Sequence, residues 1–127
     1  MTDHTHDHGR ELLRELGGLG RELRTLIPGV YEGFGKFHEE SFKDGALDRK
    51  TKELIAFGIA IAVRCDGCIA SHARGAAMAG ATENEVAEAI GVAMLMSGGP
   101  GTVYGPRALA AFRDFEKKQP GGAAGGQ

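Results

Sequence analysis

Apolar residues recur at three- and four-residue steps from Glu11 to Ile27, at Leu12, Leu13, Leu16, Leu19, Leu23, Leu26 and Ile27, which predicts an amphipathic helix. Gly17, Gly18 and Gly20 weaken that helix and Pro28 ends it. A second helix follows, carrying Tyr31, Phe34, Phe37, His38 and Phe42 as far as the turn Lys43-Asp44-Gly45, with His38 read as an ordinary half-buried residue. Asp48 is an N-cap for a third helix running through Arg64, in which Leu54 to Val63 is apolar without a break. Ten apolar residues are too few to span a bilayer, which needs about 20, so protein must cover this helix on nearly all sides.

Asp66 and Gly67 are poor helix-interior residues, so a fourth helix is expected from Cys68 onward through Ile69, Ala70, Ala73, Ala76, Ala77 and Met78, closed by Gly80. Thr82-Glu83-Asn84-Glu85 is a capping box opening a fifth helix whose Val86 to Met96 again leaves little polar surface. Ser97-Gly98-Gly99-Pro100-Gly101 reads as a connecting loop. It lacks the G-x-x-x-x-G-K-[ST] pattern and a preceding strand, so it is not read as a phosphate cradle. Tyr104 to Lys118 is the last helix, with Pro106 tolerated near its first turn. Period-two alternation is absent, so the expected fold is all-α with about six helices. Two helices apolar all round exceed what one small domain can cover, and the excess predicts a homo-oligomer.

A chain of 127 residues and 13.3 kDa suits one domain. The division expected is a helical domain over residues 10–118 between a His-rich disordered tail, 1–9, and a Gly-rich flexible tail, 119–127. A formal net charge of -2 gives no electrostatic reason to expect nucleic acid or an anionic membrane surface as partner. The N-terminus lacks the basic and apolar regions of a secretory signal, so a cytoplasmic location is expected. Three of the five histidines fall at His4, His6 and His8, and the stretch is read as solvated chain rather than a metal site. No cofactor and no metal is expected.

The chemistry concentrates in Cys65-Asp66-Gly67-Cys68-Ile69-Ala70-Ser71-His72, which holds both cysteines. Two thiols separated by two residues close a small disulfide or share a soft metal, and a reducing compartment favours a catalytic over a structural disulfide. His72 lies four residues after Cys68, hence on the same helical face, where an imidazole and a helix N-terminus favour the thiolate. A redox dithiol is the leading reading. A zinc site would need a fourth ligand beyond Cys65, Cys68 and His72, from His38, Asp66 or another subunit. Inert packing cysteines are disfavoured by the polar Asp66, Gly67 and Ser71.

Glu53, eleven residues, Cys65-x-x-Cys68, three residues and His72 together resemble the E-x11-C-x-x-C-x3-H pattern of the alkyl hydroperoxidase D-like branch of the carboxymuconolactone decarboxylase superfamily, over roughly residues 28 to 116. Some members carry a second histidine between the cysteines, where this chain has Gly67. The resemblance implies a helical protomer in a trimer or hexamer and a thiol-dependent hydroperoxide reductase or disulfide reductase serving antioxidant defence. It implies Cys68 as peroxidatic thiol, Cys65 as a more exposed resolving thiol, and Glu53 with His72 as the proton relay. The re-reducing partner would be a dithiol, a lipoyl group or a thioredoxin-like protein. The alternatives are a non-catalytic helical oligomer with a metal or scaffold role, and a lactone decarboxylase-like enzyme, which the cysteine pair disfavours.

Along a straight helix Glu53 stands about 18 Å from position 65. Contact therefore requires the next helix to fold back, a bend near Gly58, or an acid from a neighbouring subunit.

Overall fold

The computed structural model describes residues 8–116, so both expected tails apart from His8, Gly9 and the end of the last helix lie outside the described residues. Six α-helices follow one another: α1 Arg10–Leu26, α2 Pro28–Ser41, α3 Arg49–Ala62, α4 Asp66–Met78, α5 Glu83–Ser97 and α6 Gly99–Glu116. No strand occurs among the described residues, so the fold is all-α as the periodicity requires. Among these residues no helix is long and apolar enough to cross a membrane.

Helices α3 to α6 form the core. Phe57, Ile61, Val86 and Phe112 are fully buried, with Ile69, Ala73, Ala76, Ala108 and Ala111 filling the space between them. Small residues let the backbones close up: a Cβ at Gly105 would stand 2.9 Å from Ile90 Cγ2, and one at Gly101 would stand 2.9 Å from Met94 Cα, so α6 lies against α5 through glycine. Helices α1 and α2 bury no residue completely and lie outside this core. The backbone N–H of Arg10 donates to Asp114 Oδ2 at 2.8 Å and the Arg10 guanidinium lies over the Phe115 ring, which pins the start of α1 to the end of α6.

Two boundaries depart from expectation. Helix α4 starts at Asp66 rather than Cys68, because Cys65 is its N-cap and the poor helix formers Asp66 and Gly67 occupy the first turn, where an acid suits the helix dipole. Helix α6 starts at Gly99, so Gly98 alone, at φ 72°, turns the chain between α5 and α6, and Pro106 lies inside the helix. The expected loop over 97–101 is thereby reduced to one positive-φ glycine.

The connection between α3 and α4 is equally tight. Arg64 adopts φ 59°, while Arg64 N–H donates to Ile61 O and Cys65 N–H to Ala60 O, both at 3.1 Å, the paired bonds of a Schellman C-cap. Glycine usually holds that left-handed position; a side chain there costs roughly 1–2 kcal/mol. The turn folds α4 back along α3.

The capping box is formed in full, Thr82 accepting from Glu85 N–H and Glu85 accepting from Thr82 N–H. Thr82 N–H and then Lys50 Nζ hold the Glu85 carboxyl below its ordinary value. Thr82→Ala is expected to cost about 1 kcal/mol, read as a lower melting temperature. Because the folded-state pKa is depressed, the Glu85 contribution is complete above the ordinary carboxylate range and lost as the pH falls through and below it; Glu85→Gln should flatten the acid limb of the stability profile.

Candidate active site

Cys65 holds two backbone roles at once: its N–H completes the cap of α3, and its Sγ accepts the N–H of Cys68 at 3.2 Å as N-cap of α4. The two cysteines are joined as a disulfide with Cα atoms 5.2 Å apart. Cys68 is exposed and Cys65 half-buried in the single chain, the reverse of the expected order. The reason is local. Cys65 is tucked between two helix ends, whereas Cys68 faces outward from the first turn of α4. In the disulfide form the helix N-terminus bonds the Cys65 sulfur, while Cys68 lies in the first turn of α4.

Above the dithiol stands α1. A Cβ at Gly67 would lie 2.8 Å from Leu16 Cδ1, so a side chain between the cysteines fits only if the Leu16 side chain shifts.

Folding α4 back on α3 brings Glu53, near the start of α3, against the second half of α4. His72 Nδ1 and Glu53 Oε1 are 2.9 Å apart, and an Arg49 guanidinium nitrogen lies 3.4 Å from Glu53 Oε2. Of the three routes considered, the fold-back is the one taken. Glu53 is 2 % exposed, the one charged residue in the buried set, and both of its oxygens are engaged. A buried carboxylate requires such partners, since an uncompensated charge costs several kcal/mol. An ionised Glu53 only accepts, so Nδ1 carries the hydrogen; in the neutral form of the ring Nε2 then presents a lone pair.

Gly75, one turn beyond His72, makes room for this pair: a Cβ there would overlap the Glu53 carboxylate. The face of His72 is covered by Phe42, with ring centroids 5.3 Å apart, and by His38 at 6.0 Å. His38 is half-buried as expected, and it also reaches the site from α2. Together with Arg49, Ser71, Arg74 and Met78 these residues line an open cavity of about 310 Å³.

Sequence reasoning found Cys65, Cys68, His72 and Glu53, and missed Arg49, Arg74 and Gly75. Arg49 was available from its four-residue spacing to Glu53 and Gly75 from its three-residue spacing to His72; nothing in the sequence marks Arg74. Among the described residues no three His, Cys, Asp or Glu side chains converge as a metal set.

Gly75→Ala should push Glu53 off His72 at a cost of about 1–3 kcal/mol, measurable by thermal denaturation. Glu53→Gln keeps the shape and removes the charge. The His72 imidazole resonances should then titrate differently from wild type by NMR, and an unchanged titration would show that the carboxylate does not control the ring.

The profile of the carboxymuconolactone decarboxylase family matches residues 28–114. The apo crystal structure of a carboxymuconolactone decarboxylase family protein from Legionella pneumophila superposes with a TM-score of 0.81 at 38% identity, covering 84% of this chain and 96% of that one. A crystal structure from Thermotoga maritima follows at a TM-score of 0.68 and 26% identity, covering 80% and 92%. An uncharacterized protein of Cupriavidus necator is 34% identical over 102 residues, 80% of this chain and 87% of its own length. An uncharacterized protein in the cox locus of Paracoccus denitrificans is 41% identical over 75 residues, 59% and 68% of the two chains. With the family profile covering the core helices and the Legionella fold superposing along nearly its whole length, the chain belongs to the carboxymuconolactone decarboxylase family.

Proposed function

We propose that the protein is a thiol-dependent hydroperoxide reductase whose Cys65–Cys68 pair cycles between dithiol and disulfide. The observation that carries this reading is the buried Glu53–His72 pair set one helical turn from Cys68. His72 Nε2 takes the proton of the Cys68 thiol, and the thiolate attacks the terminal oxygen of the peroxide. An S–O bond forms as the O–O bond breaks, giving a sulfenic acid on Cys68 and an alkoxide, which recovers the proton from His72 as the alcohol. The Cys65 thiol then displaces water from the sulfenic acid, closing the disulfide.

A dithiol donor, a lipoyl group or a thioredoxin-like protein, returns two electrons. In the single chain Cys68 is the more exposed of the two residues, so the donor attacks there and Cys65 departs as a thiolate held by the Cys68 N–H. The cytoplasm, where such donors keep thiols reduced, is the compartment that fits.

The working form is a homo-oligomer, a trimer or hexamer. Ile55, Ile59 and Val63 form an exposed stripe along α3, and Val92, Leu95 and Met96 another along α5, which water-exposed helices of a lone domain do not carry. Light scattering should give a trimer or larger, and Leu95→Glu should lower the mass. A wild-type monomer at micromolar concentration refutes the assembly.

Peroxide consumption with candidate dithiols tests the chemistry. In Cys65→Ser, peroxide should leave a sulfenic acid on Cys68 that a dimedone probe captures, while Cys68→Ser should be largely inert. His72→Ala should slow the peroxide step by roughly 10²–10⁴-fold. Sulfenic acid on Cys65, or an undiminished rate in His72→Ala, reverses the assignment.

A further inference from the structure

The cavity beside His72 carries a charge pattern that the thiol chemistry does not explain. Three basic side chains from three successive helices reach it, His38 from α2, Arg49 from α3 and Arg74 from α4, together with the apolar Met78. Its lining contains one acid, Glu53, whose two oxygens are taken by His72 and Arg49 and which is almost wholly withdrawn from solvent. Asp44 is near, but it accepts the backbone N–H of Arg49 and does not line the cavity. Arg74 is exposed and, among the described residues, has no acidic partner. A guanidinium held at the mouth of a partly enclosed cavity, with the local acid already neutralised, favours an anion and suits a carboxylate in particular, which it binds through two parallel hydrogen bonds.

Resting on the hydroperoxide-reductase reading, we propose that this cavity selects hydroperoxides that carry a carboxylate, with Arg74 as the anchoring cation. From Cys68 to Arg74 helix α4 rises about 9 Å, and Cys68 is not among the lining residues, so the acid end of the substrate is held at Arg74 while its peroxide end extends past His72 and out of the cavity towards Cys68. Arg49 raises the potential at the mouth, yet its own contacts with Glu53 and the Phe42 ring tie it to the site's architecture, which leaves Arg74 free to engage a ligand.

The experiment compares a carboxylate-bearing alkyl hydroperoxide with its methyl ester at constant pH, in wild type, Arg74→Ala, Arg74→Lys and Arg74→Glu. Wild type should prefer the acid by roughly tenfold in kcat/KM, the difference lying in KM, and added salt should shrink the preference. Arg74→Ala should abolish the preference, Arg74→Lys restore part of it, and Arg74→Glu turn it towards the ester. Equal use of acid and ester by wild type, or a preference that survives Arg74→Glu, overturns the proposal. Calorimetric binding of the corresponding hydroxy acid and its ester supplies a readout free of the dithiol cycle. If no hydroperoxide is turned over but the hydroxy acid binds in an Arg74-dependent way, the reductase reading fails and the anion site stands. If neither hydroxy compound is favoured, the anion site fails whatever the peroxidase activity.

Discussion

The structure depends on a buried carboxylate. Glu53 lies in a helix whose other inward residues, Phe57, Ala60 and Ile61, are apolar, and a charge in that position is tolerated only because His72 and Arg49 meet both oxygens. This requirement dictates how α3 and α4 pair, since the two helices must run back along each other in the register that sets His72 opposite Glu53. It also dictates a glycine at 75, where any side chain would enter the space the carboxylate occupies.

The second constraint is the turn that makes this register possible. The cap of α3 and the cap of α4 share Cys65, and Arg64 accepts a left-handed backbone to let them do so. The dithiol is therefore part of the hinge of the helix hairpin. With Cys65 fixed in the backbone hydrogen-bond scheme, Cys68 is the more exposed of the two cysteines.

Helices α1 and α2 contribute little to the core, yet each delivers something to the site. Leu16 of α1 closes over Gly67, and Phe42 and His38, at and beyond the last turns of α2, cover the open side of the His72 ring. An outer pair of helices with exposed Leu19, Leu26, Phe34 and Phe37 thus shelters the reactive groups while presenting apolar surface to its surroundings.

By itself the sequence determined the helices and the reactive groups. The 3.6-residue period, the Asp48 cap and the Thr82–Glu85 box mark α1, α3 and α5 because those signals are local, acting over three or four residues. Cys65, Cys68 and His72 were legible for the same reason, lying within the cap and first two turns of one helix. Glu53 was legible as a residue but not as a contact, because its distance from the dithiol is set by the direction of a three-residue connection. The early start of α6 escaped notice because its glycine-rich opening, weak in isolation, is stabilised by close packing on α5. Which cysteine is exposed, that His72 meets Glu53, that Gly75 makes room for the pair and that Arg74 shares a cavity with His38 and Arg49 were decided by tertiary structure alone. Each is a relation between residues on different helices, and local periodicity carries no information about what lies across an interface.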